Sequence, residues 1–265
     1  MAILRDELKK HPEILKPTVT HKAIVTFEVN NGIPNGDPDT SGARMDPDGH
    51  ALVTDIATKR KMRDYVAEAL GRTLYIDRYL QDNVPESERD GKYATLKDLA
   101  RLHGIIGGKK DDSPTDAGLA VKVFWDVRMF GGVIGAKSTK QQILGPVQVG
   151  ICASEEPVEE VDLAITRMVS EEPDKDRTMG TKTFVRHATF NQKVTFTGHL
   201  AIRHNITEED MFDLWEALIN GFEFRPSTMR GDQRCVKLTV FSYPNAFGAG
   251  SDYETTIIEN HQPAV

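Results

Sequence analysis

The alternation of apolar and polar residues predicts regular elements most clearly towards the two ends of the chain. Residues 21–30 are rich in β-branched and aromatic side chains, which favours a strand. Thr54 is a good N-cap, and the apolar positions after it fall mostly on one side of a helix that ends at Gly71. Residues 207–220 predict a second helix with acids in its first turn, and residues 235–243 predict a closing strand.

The middle of the chain predicts further strands and one insertion. Residues 121–130 and 194–203 alternate in the way that half-buried strands do. The strongest elements then follow the order strand, helix, strand, strand, helix, strand, which is typical of the ferredoxin-like α+β fold that RNA-recognition motifs use. We interpret the polar residues 72–115 as an insertion into this fold. The remaining predicted elements are a helix at 95–103, strands at 146–153 and 161–169, and a hairpin arm at 181–190.

Composition limits the class of protein. The chain has 265 residues, of which 39% are hydrophobic and 28% charged, as in water-soluble globular proteins. No apolar run approaches the roughly 20 residues that span a bilayer, so we expect no membrane contact. Cys152 and Cys235 lie far apart without a CxxC spacing. We therefore expect neither a disulfide framework nor a cysteine-built zinc site, and the cytoplasm as location.

The net charge is concentrated in one segment. Residues 155–176 hold nine acids and two basic residues, which accounts for the whole formal net charge of -7. The other residues are neutral as a set. A polyanion responds to a local basic face rather than to the sum of charges, so a nucleic-acid partner remains compatible with this composition.

Three basic segments favour binding to a nucleic-acid backbone. One face of the first predicted helix carries positive residues three and four positions apart, a second segment surrounds the glycines of residues 131–135, and a third spans residues 222–237. Each lies beside a glycine or turn residue that lets a phosphate approach. The residues that we single out in them are Lys59, Arg60 and Arg63, then Arg128 and Lys137, then Arg225 and Arg230.

The loop after the first strand leaves a calcium site open as an alternative. Asp37, Asp39, Ser41 and Asp48 match part of a calcium-loop template, with Gly42 at the turn. Asn, Asp, Gly and Pro are also what any turn-rich loop contains, and Asp48 is shorter than the glutamate that usually closes such a loop. We expect no metal there.

Three histidines leave a catalytic alternative open. His187, His199 and His204 lie close in sequence, and one of them beside Arg186 or Arg203 could act as general base in a metal-independent ribonuclease. Histidines on predicted strands are more often packing or surface residues. The sequence contains no P-loop, GxSxG, HExxH or Rossmann motif.

Four blocks of residues, in this order and spacing, resemble a known family. The first runs from Asn35-Gly-Asp-Pro-Asp39 through Arg44, Asp46-Pro47, Gly49 and Thr54-Asp55 to Lys59-Arg-Lys-x-Arg63-Asp-Tyr65. The others are Asp126-Val-Arg128-Met-Phe130-Gly-Gly132, Gly145-Pro-Val-Gln148, and Phe222-Glu-x-Arg225-Pro-Ser227-x-x-Arg230-Gly231. They resemble the CRISPR-associated backbone subunit of type I Cascade complexes, most closely the type I-C branch.

The resemblance implies a fold and a function. It implies one elaborated domain over residues 1–265, with an RNA-recognition-like palm, a helical finger insertion and a thumb hairpin. Such subunits are non-catalytic, need no cofactor, and stack head to tail along a CRISPR RNA beside other Cascade subunits, presenting the spacer for pairing with target DNA. The implied ranges are 21–71, 117–165 and 184–250 for the palm, 72–116 for the fingers and about 167–183 for the thumb.

The resemblance also implies RNA contacts, position by position. Lys59 and Arg63 would contact phosphates from the first palm helix, together with Arg60 on the same basic face. Asn35 and Arg44 would do so from the loop after the first strand. Arg128 and Lys137 would flank the glycine turn, and Arg225 and Arg230 would belong to the C-terminal arginine-glycine motif.

Overall fold

A six-stranded antiparallel sheet forms the centre of the molecule. The computed structural model describes residues 2–40, 42–166 and 179–259, and among these no helix is long and apolar enough to cross a membrane. The strands are β1 (His21–Gly32), β2 (Leu52–Val53), β3 (Gly131–Ile134), β4 (Gln141–Leu144), β5 (Val147–Val149), β6 (Cys152–Ala153), β7 (Glu160–Thr166), β8 (Met179–Phe196), β9 (Asp232–Ser242) and β10 (Glu254–Glu259). The α-helices are α1 (Ala2–Leu8), α2 (Asp55–Glu68), α3 (Leu80–Asn83), α4 (Leu96–Leu102), α5 (Ala117–Val123), α6 (Trp125–Phe130), α7 (Gly198–Arg203) and α8 (Glu208–Asn220).

The strand order confirms the ferredoxin-like fold. The sheet has the order β10-β9-β1-β8-β5, with β7 added beside β8, and every pair is antiparallel. The four strands β9, β1, β8 and β5 with the helices α2 and α8 reproduce the split βαβ arrangement. Alternate residues of β1, among them Val25 and Phe27, are buried. They share one core with Met62 of α2 and Leu218 of α8.

Local capping explains where the two palm helices begin. The Thr54 hydroxyl accepts a hydrogen bond from the Ala57 amide at 3.3 Å, so α2 begins where the sequence predicts. At α8 a capping box is complete, because Thr207 accepts from the Asp210 amide and Asp210 accepts from the Thr207 amide. Both helices were predicted, and both predictions are confirmed.

Two predicted strands are wrong. Residues 121–130 fold as the end of α5 and the whole of α6, because Asp116 caps α5 at the Leu119 amide and the chain bends at Phe124 between the two helices. The predicted strand at 194–203 is wrong beyond its first three residues, because β8 ends at Phe196 and α7 follows. At this junction Gly198 is needed, since a Cβ there would lie 2.6 Å from the Val19 carbonyl carbon.

A second core cluster lies outside the sheet. It collects buried residues from Tyr75 to Ala136, including Leu99, Phe124 and Val127, and α4 contributes to it where a short helix was predicted. This cluster crosses residue 116, where the finger insertion was expected to end. The division into palm, finger and thumb stays a prediction.

The predicted thumb lies largely outside the described residues. Of residues 167–183, positions 167–178 are not described. The arms on either side pair as an antiparallel ladder from Glu160 opposite Val185 to Thr166 opposite Met179. The hairpin arm predicted at 181–190 is thus confirmed as part of β8.

Candidate nucleic-acid interface

A cleft lies where the loop after β1, the helix α2 and the turn before β9 meet. Its volume is about 340 Å³. Three of the residues singled out from sequence line it together, namely Asn35, Arg60 and Arg230. We call this site the cationic cleft; its other main lining residues are Lys61, Ser227 and Met229.

Backbone packing fixes the shape of the cationic cleft. The Ile33 amide donates to the Met229 carbonyl at 2.8 Å, which holds the turn against the end of β1. Gly231 has φ +62°, and a Cβ there would lie 2.3 Å from the Asn30 carbonyl oxygen. Only glycine fits so close an approach in that conformation. The turn therefore presents Arg230 at a defined position.

Four arginines gather beside the cleft with only two carboxylates between them. Arg60 and Arg78 both bind Asp64, the latter at 2.8 Å. Arg225 binds Glu68 and also donates to the Tyr79 hydroxyl at 2.6 Å. The fourth, Arg230, donates to the Arg225 carbonyl at 3.0 Å.

This arginine cluster has more positive than negative charge, and two of its N–H donors lack an acceptor among the described residues. Within the described part of the chain, the buried Nε atoms of Arg60 and Arg225 have no hydrogen-bond partner. Burial and the neighbouring guanidinium of Arg78 lower the pKa of Arg230. Excess cations with unused N–H groups are suited to a phosphate, which accepts several charge-assisted hydrogen bonds at once.

Three of the predicted cations are instead held by acids. The Arg63 Nε donates to Asp126 at 2.9 Å in a pair whose side chains are 10% and 1% exposed. Arg128 binds Asp210 at 2.7 Å and donates to two carbonyls of α5. Lys59 binds Asp55 at 2.9 Å one turn away. These contacts neutralise Arg63 and Arg128 within the fold. Their RNA contacts stay predictions, and we build the proposed site on the other cations.

Arg44 and Lys137 lie apart from the arginine cluster. Arg44 is half-buried, and its amide donates to the Asn35 carbonyl at 2.9 Å, so it flanks the loop that forms one wall of the cleft. Lys137 stands in the connection between β3 and β4 with 76% of its side chain exposed, and its Nζ is 3.9 Å from Asp111.

A larger cleft lies elsewhere, and two of the four arginine and lysine side chains that line it are paired with acids. It has a volume of about 750 Å³ and includes Arg72, Arg128 and the acids Glu209 and Asp210. Arg72 is bound by Asp213 and Glu209, and Arg128 by Asp210. We therefore choose the candidate site by the local excess of arginine over carboxylate and not by the volume of the cleft.

The three histidines considered for catalysis make separate contacts. His187 bonds Asn30 at 2.7 Å on the exposed face of the sheet, and His199 stacks on Phe247 with ring centroids 5.2 Å apart. His204 is buried and donates from Nδ1 to the Arg128 carbonyl at 2.9 Å. None of these contacts joins two histidines or a histidine and a free arginine.

The acidic loop is organised by its own turns. The Asp37 carboxylate accepts from the Asp39 amide at 2.9 Å, and Asp46 accepts from the amides of Asp48 and His50. Across the described ranges no group of three or more His, Cys, Asp or Glu side chains is placed to hold a metal ion. Ser41, part of the calcium alternative, lies outside the described residues.

Sequence reasoning missed Lys61, Arg78 and Tyr79. Lys61 lies on the face of α2 that also carries the buried Thr58 and Met62, so a helical projection assigns it to the core. Arg78 and Tyr79 come from the segment interpreted as an insertion, and only the tertiary structure brings them to Arg225.

Together, the fold and the cleft define a ferredoxin-like α+β protein with a cleft rich in basic side chains. The family described as CRISPR-associated protein Cas7 matches residues 19–258, and the chain belongs to this family. No curated protein matches the chain.

Solved structures of low sequence identity are similar in fold. A chain of a "CRISPR RNA-guided surveillance complex, pre-nicking" has a TM-score of 0.52 and 14% identity, covering 84% of this chain and 77% of that one. A second "CRISPR RNA-guided surveillance complex" has a TM-score of 0.48 and 11% identity, covering 84% and 68%. The "Type III-B Cmr-beta bound to cognate target RNA" has 0.46 and 12%, covering 93% and 67%. Only the first likeness bears on the argument, and it bears on the fold alone.

Proposed function

We propose that this protein is the non-catalytic, CRISPR-RNA-binding backbone subunit of a type I Cascade complex, of the type I-C branch. Copies of it line up head to tail along one guide RNA, beside other Cascade subunits, and present the spacer for pairing with target DNA. Family membership and the surveillance complexes of similar fold support this proposal. Asn35, Arg44, Lys59, Arg60, Lys137, Arg225 and Arg230 remain candidates for RNA contacts.

The observation that carries the proposal is the arginine cluster at the cationic cleft. Four guanidinium groups share two carboxylates, and two buried Nε atoms there have no partner in the described residues. A phosphodiester would supply the missing negative charge and the missing acceptors. Such contacts hold a strand in place without reading its sequence, as a guide with a variable spacer requires.

The open face of the sheet argues against base reading of the RNA-recognition-motif type. Those motifs stack bases on aromatic side chains of their two central strands. Here the outward positions of β1 are Lys22, Ile24, Thr26, Glu28 and Asn30, and the residues of β8 directly opposite them are His187, Thr189, Asn191, Lys193 and Thr195. Neither set contains Phe, Tyr or Trp. This favours backbone contacts at the cleft instead.

Co-expression tests the proposal. The protein is produced with and without a CRISPR array, and its mass and bound RNA are measured by light scattering and gel electrophoresis. We expect a large oligomer with RNA of uniform length from the first culture, and far less RNA on the Arg60→Ala/Arg230→Ala variant. A monomer without RNA in both cultures would contradict the proposal. Cleavage of repeat RNA by the purified protein in chelator would contradict its non-catalytic part.

A further inference from the structure

Lys61 is a buried cation of the cleft, and among the described residues it has no carboxylate partner. Its side chain projects from α2, the residue is 8% exposed, and it lines the cationic cleft. The Nζ atom donates to Gln233 Oε1 at 2.6 Å and lies 5.6 Å from the centroid of the Phe222 ring. In the described ranges no carboxylate forms an ion pair with it. Among the described residues, the hydrogen-bond acceptor of this ammonium is the neutral side-chain amide of Gln233.

Gln233 connects Lys61 to the turn that shapes the cleft. The Gln233 Nε2 donates to the Ile33 carbonyl at 3.0 Å and to the Arg230 carbonyl at 2.8 Å. The orientation of this amide therefore places its oxygen on Lys61 and its nitrogen on both walls of the cleft. A change of charge at Lys61 acts on the same network that positions Arg230.

The groups around Lys61 disfavour its charge in the absence of an anion. Burial, followed by the positive charge of Arg230, lowers the pKa of Lys61 to about 8. Asp64 acts in the opposite direction, but it is already shared by Arg60 and Arg78. Cys235 lies on the neighbouring β9, and burial raises the pKa of its thiol to about 12, so it does not titrate in this range.

We propose that Lys61 is a proton-linked anion-binding residue: a phosphate that enters the cationic cleft is bound together with a proton, which the Lys61 amine takes up from solvent. The phosphate places a negative charge beside the amine and so favours the ammonium. One N–H bond forms on the amine as the proton leaves a water molecule or buffer acid of the solvent, and no other bond changes. The inference deepens the proposed function and, for RNA as ligand, rests on it.

The linkage has a definite sign. Below about pH 7 Lys61 is charged in both the free and the bound protein, so binding takes up no proton. Above about pH 8 the free protein has lost this charge and binding must restore it. Affinity therefore falls as the pH rises, by about tenfold between pH 7 and pH 9, since each pH unit above the pKa of the free protein is worth a factor of ten.

Two measurements with two ligands test this inference. The dissociation constants of a single-stranded RNA and of inorganic sulfate, an oxyanion that does not titrate in this range, are measured at pH 7, 8 and 9, and calorimetry at pH 8.5 in two buffers of different ionisation enthalpy counts the protons. We expect the tenfold loss and an uptake of more than half a proton per site. Lys61→Met removes the charge and keeps the apolar stem, and Lys61→Arg keeps a charge that does not titrate.

Both variants should abolish the pH dependence, the first with weak affinity throughout and the second with affinity close to that of the wild type at pH 7. Lys193→Met, on the exposed face of β8, should retain the wild-type pH profile. Equal RNA affinity at pH 7 and 9, or no proton uptake, would overturn the inference and leave the proposed function intact. Proton-linked binding of sulfate without binding of RNA would support the role of Lys61 and contradict the proposed function. Binding of neither ligand would overturn both.

Discussion

The cationic cleft and the ion network on α8 are both built from arginines and carboxylates. Arginines outnumber carboxylates at the cleft, whereas carboxylates outnumber arginines on α8. In the α8 network Arg5 and Arg72 face three acids, Glu209, Asp213 and Glu216. Asp213 and Glu216 have fully buried side chains, and every guanidinium there has a carboxylate partner. At the cleft, four arginines share two carboxylates. An arginine without a full complement of acid is free to bind a ligand.

The local balance of arginine and carboxylate, more than exposure, separates the neutralised cations from those that we propose to bind RNA. Arg63 and Arg128 resemble the arginines of the α8 network, because the charge of each is neutralised by one acid from a distant part of the chain. Arg225 and Arg230 are also partly buried, yet only Arg225 pairs with an acid, Glu68, while Arg230 donates to the Arg225 carbonyl. The local charge balance decides the role.

The largest expected effect is on stability, at the buried pair of Arg63. Asp126 also accepts from the Tyr75 amide at 2.8 Å and the Ile76 amide at 3.1 Å, so Asp126→Asn leaves a buried guanidinium without a counter-charge. We expect the free energy of unfolding to fall by about 3–5 kcal/mol in urea titrations. The matched control is Asp55→Asn, which breaks the half-exposed pair with Lys59 and should cost less than about 1 kcal/mol. Equal losses would show that the two pairs do not differ as described.

A smaller effect is expected on RNA affinity when an acid of the cleft is removed. Glu68→Gln releases Arg225 from its carboxylate and should strengthen RNA binding roughly threefold, which corresponds to the ~0.2–1 kcal/mol of a partly exposed ion pair. Fluorescence anisotropy measures it. Glu209→Gln, in the α8 network, serves as control and should leave the affinity unchanged. If Glu209→Gln strengthened RNA binding and Glu68→Gln did not, the RNA would be bound at the α8 network and not at the cationic cleft.

The smallest effect is expected at Lys137. Its side chain is 76% exposed, so Lys137→Ala should change the free energy of unfolding by less than about 0.5 kcal/mol. If Lys137 contacts one phosphate, the variant lowers the slope of log affinity against log salt by about 0.7. An unchanged slope would remove the connection between β3 and β4 from the RNA path.

The sequence contains enough local information to predict the fold, because its strongest elements are determined by local signals. Thr54 and Thr207 cap their helices through contacts three residues away, and the alternation in β1 reports one buried face. Residues 121–130 were mispredicted because two short helices meeting at Phe124 place apolar side chains at spacings that also fit a strand. Short apolar runs remain ambiguous until Asp116 is recognised as a cap.

The candidate site was only partly predictable. Helical spacing placed Lys59, Arg60 and Arg63 on one face. No local pattern reveals that Arg63 pairs with an acid 63 positions away, or that Arg60 lies in the arginine cluster. Long-range pairing decides which cations remain available. That information comes only from the tertiary structure.

The most direct test of sequence-independent backbone binding at the cationic cleft is the salt dependence of affinity for two single-stranded RNAs of equal length and unrelated sequence. We expect similar dissociation constants for both RNAs with the wild-type protein. With Arg60→Ala/Arg230→Ala we expect the slope of log affinity against log salt to fall by about 1.4, since single strands give about 0.7 per phosphate contact. A strong preference for one RNA, or an unchanged slope in the variant, would contradict the account.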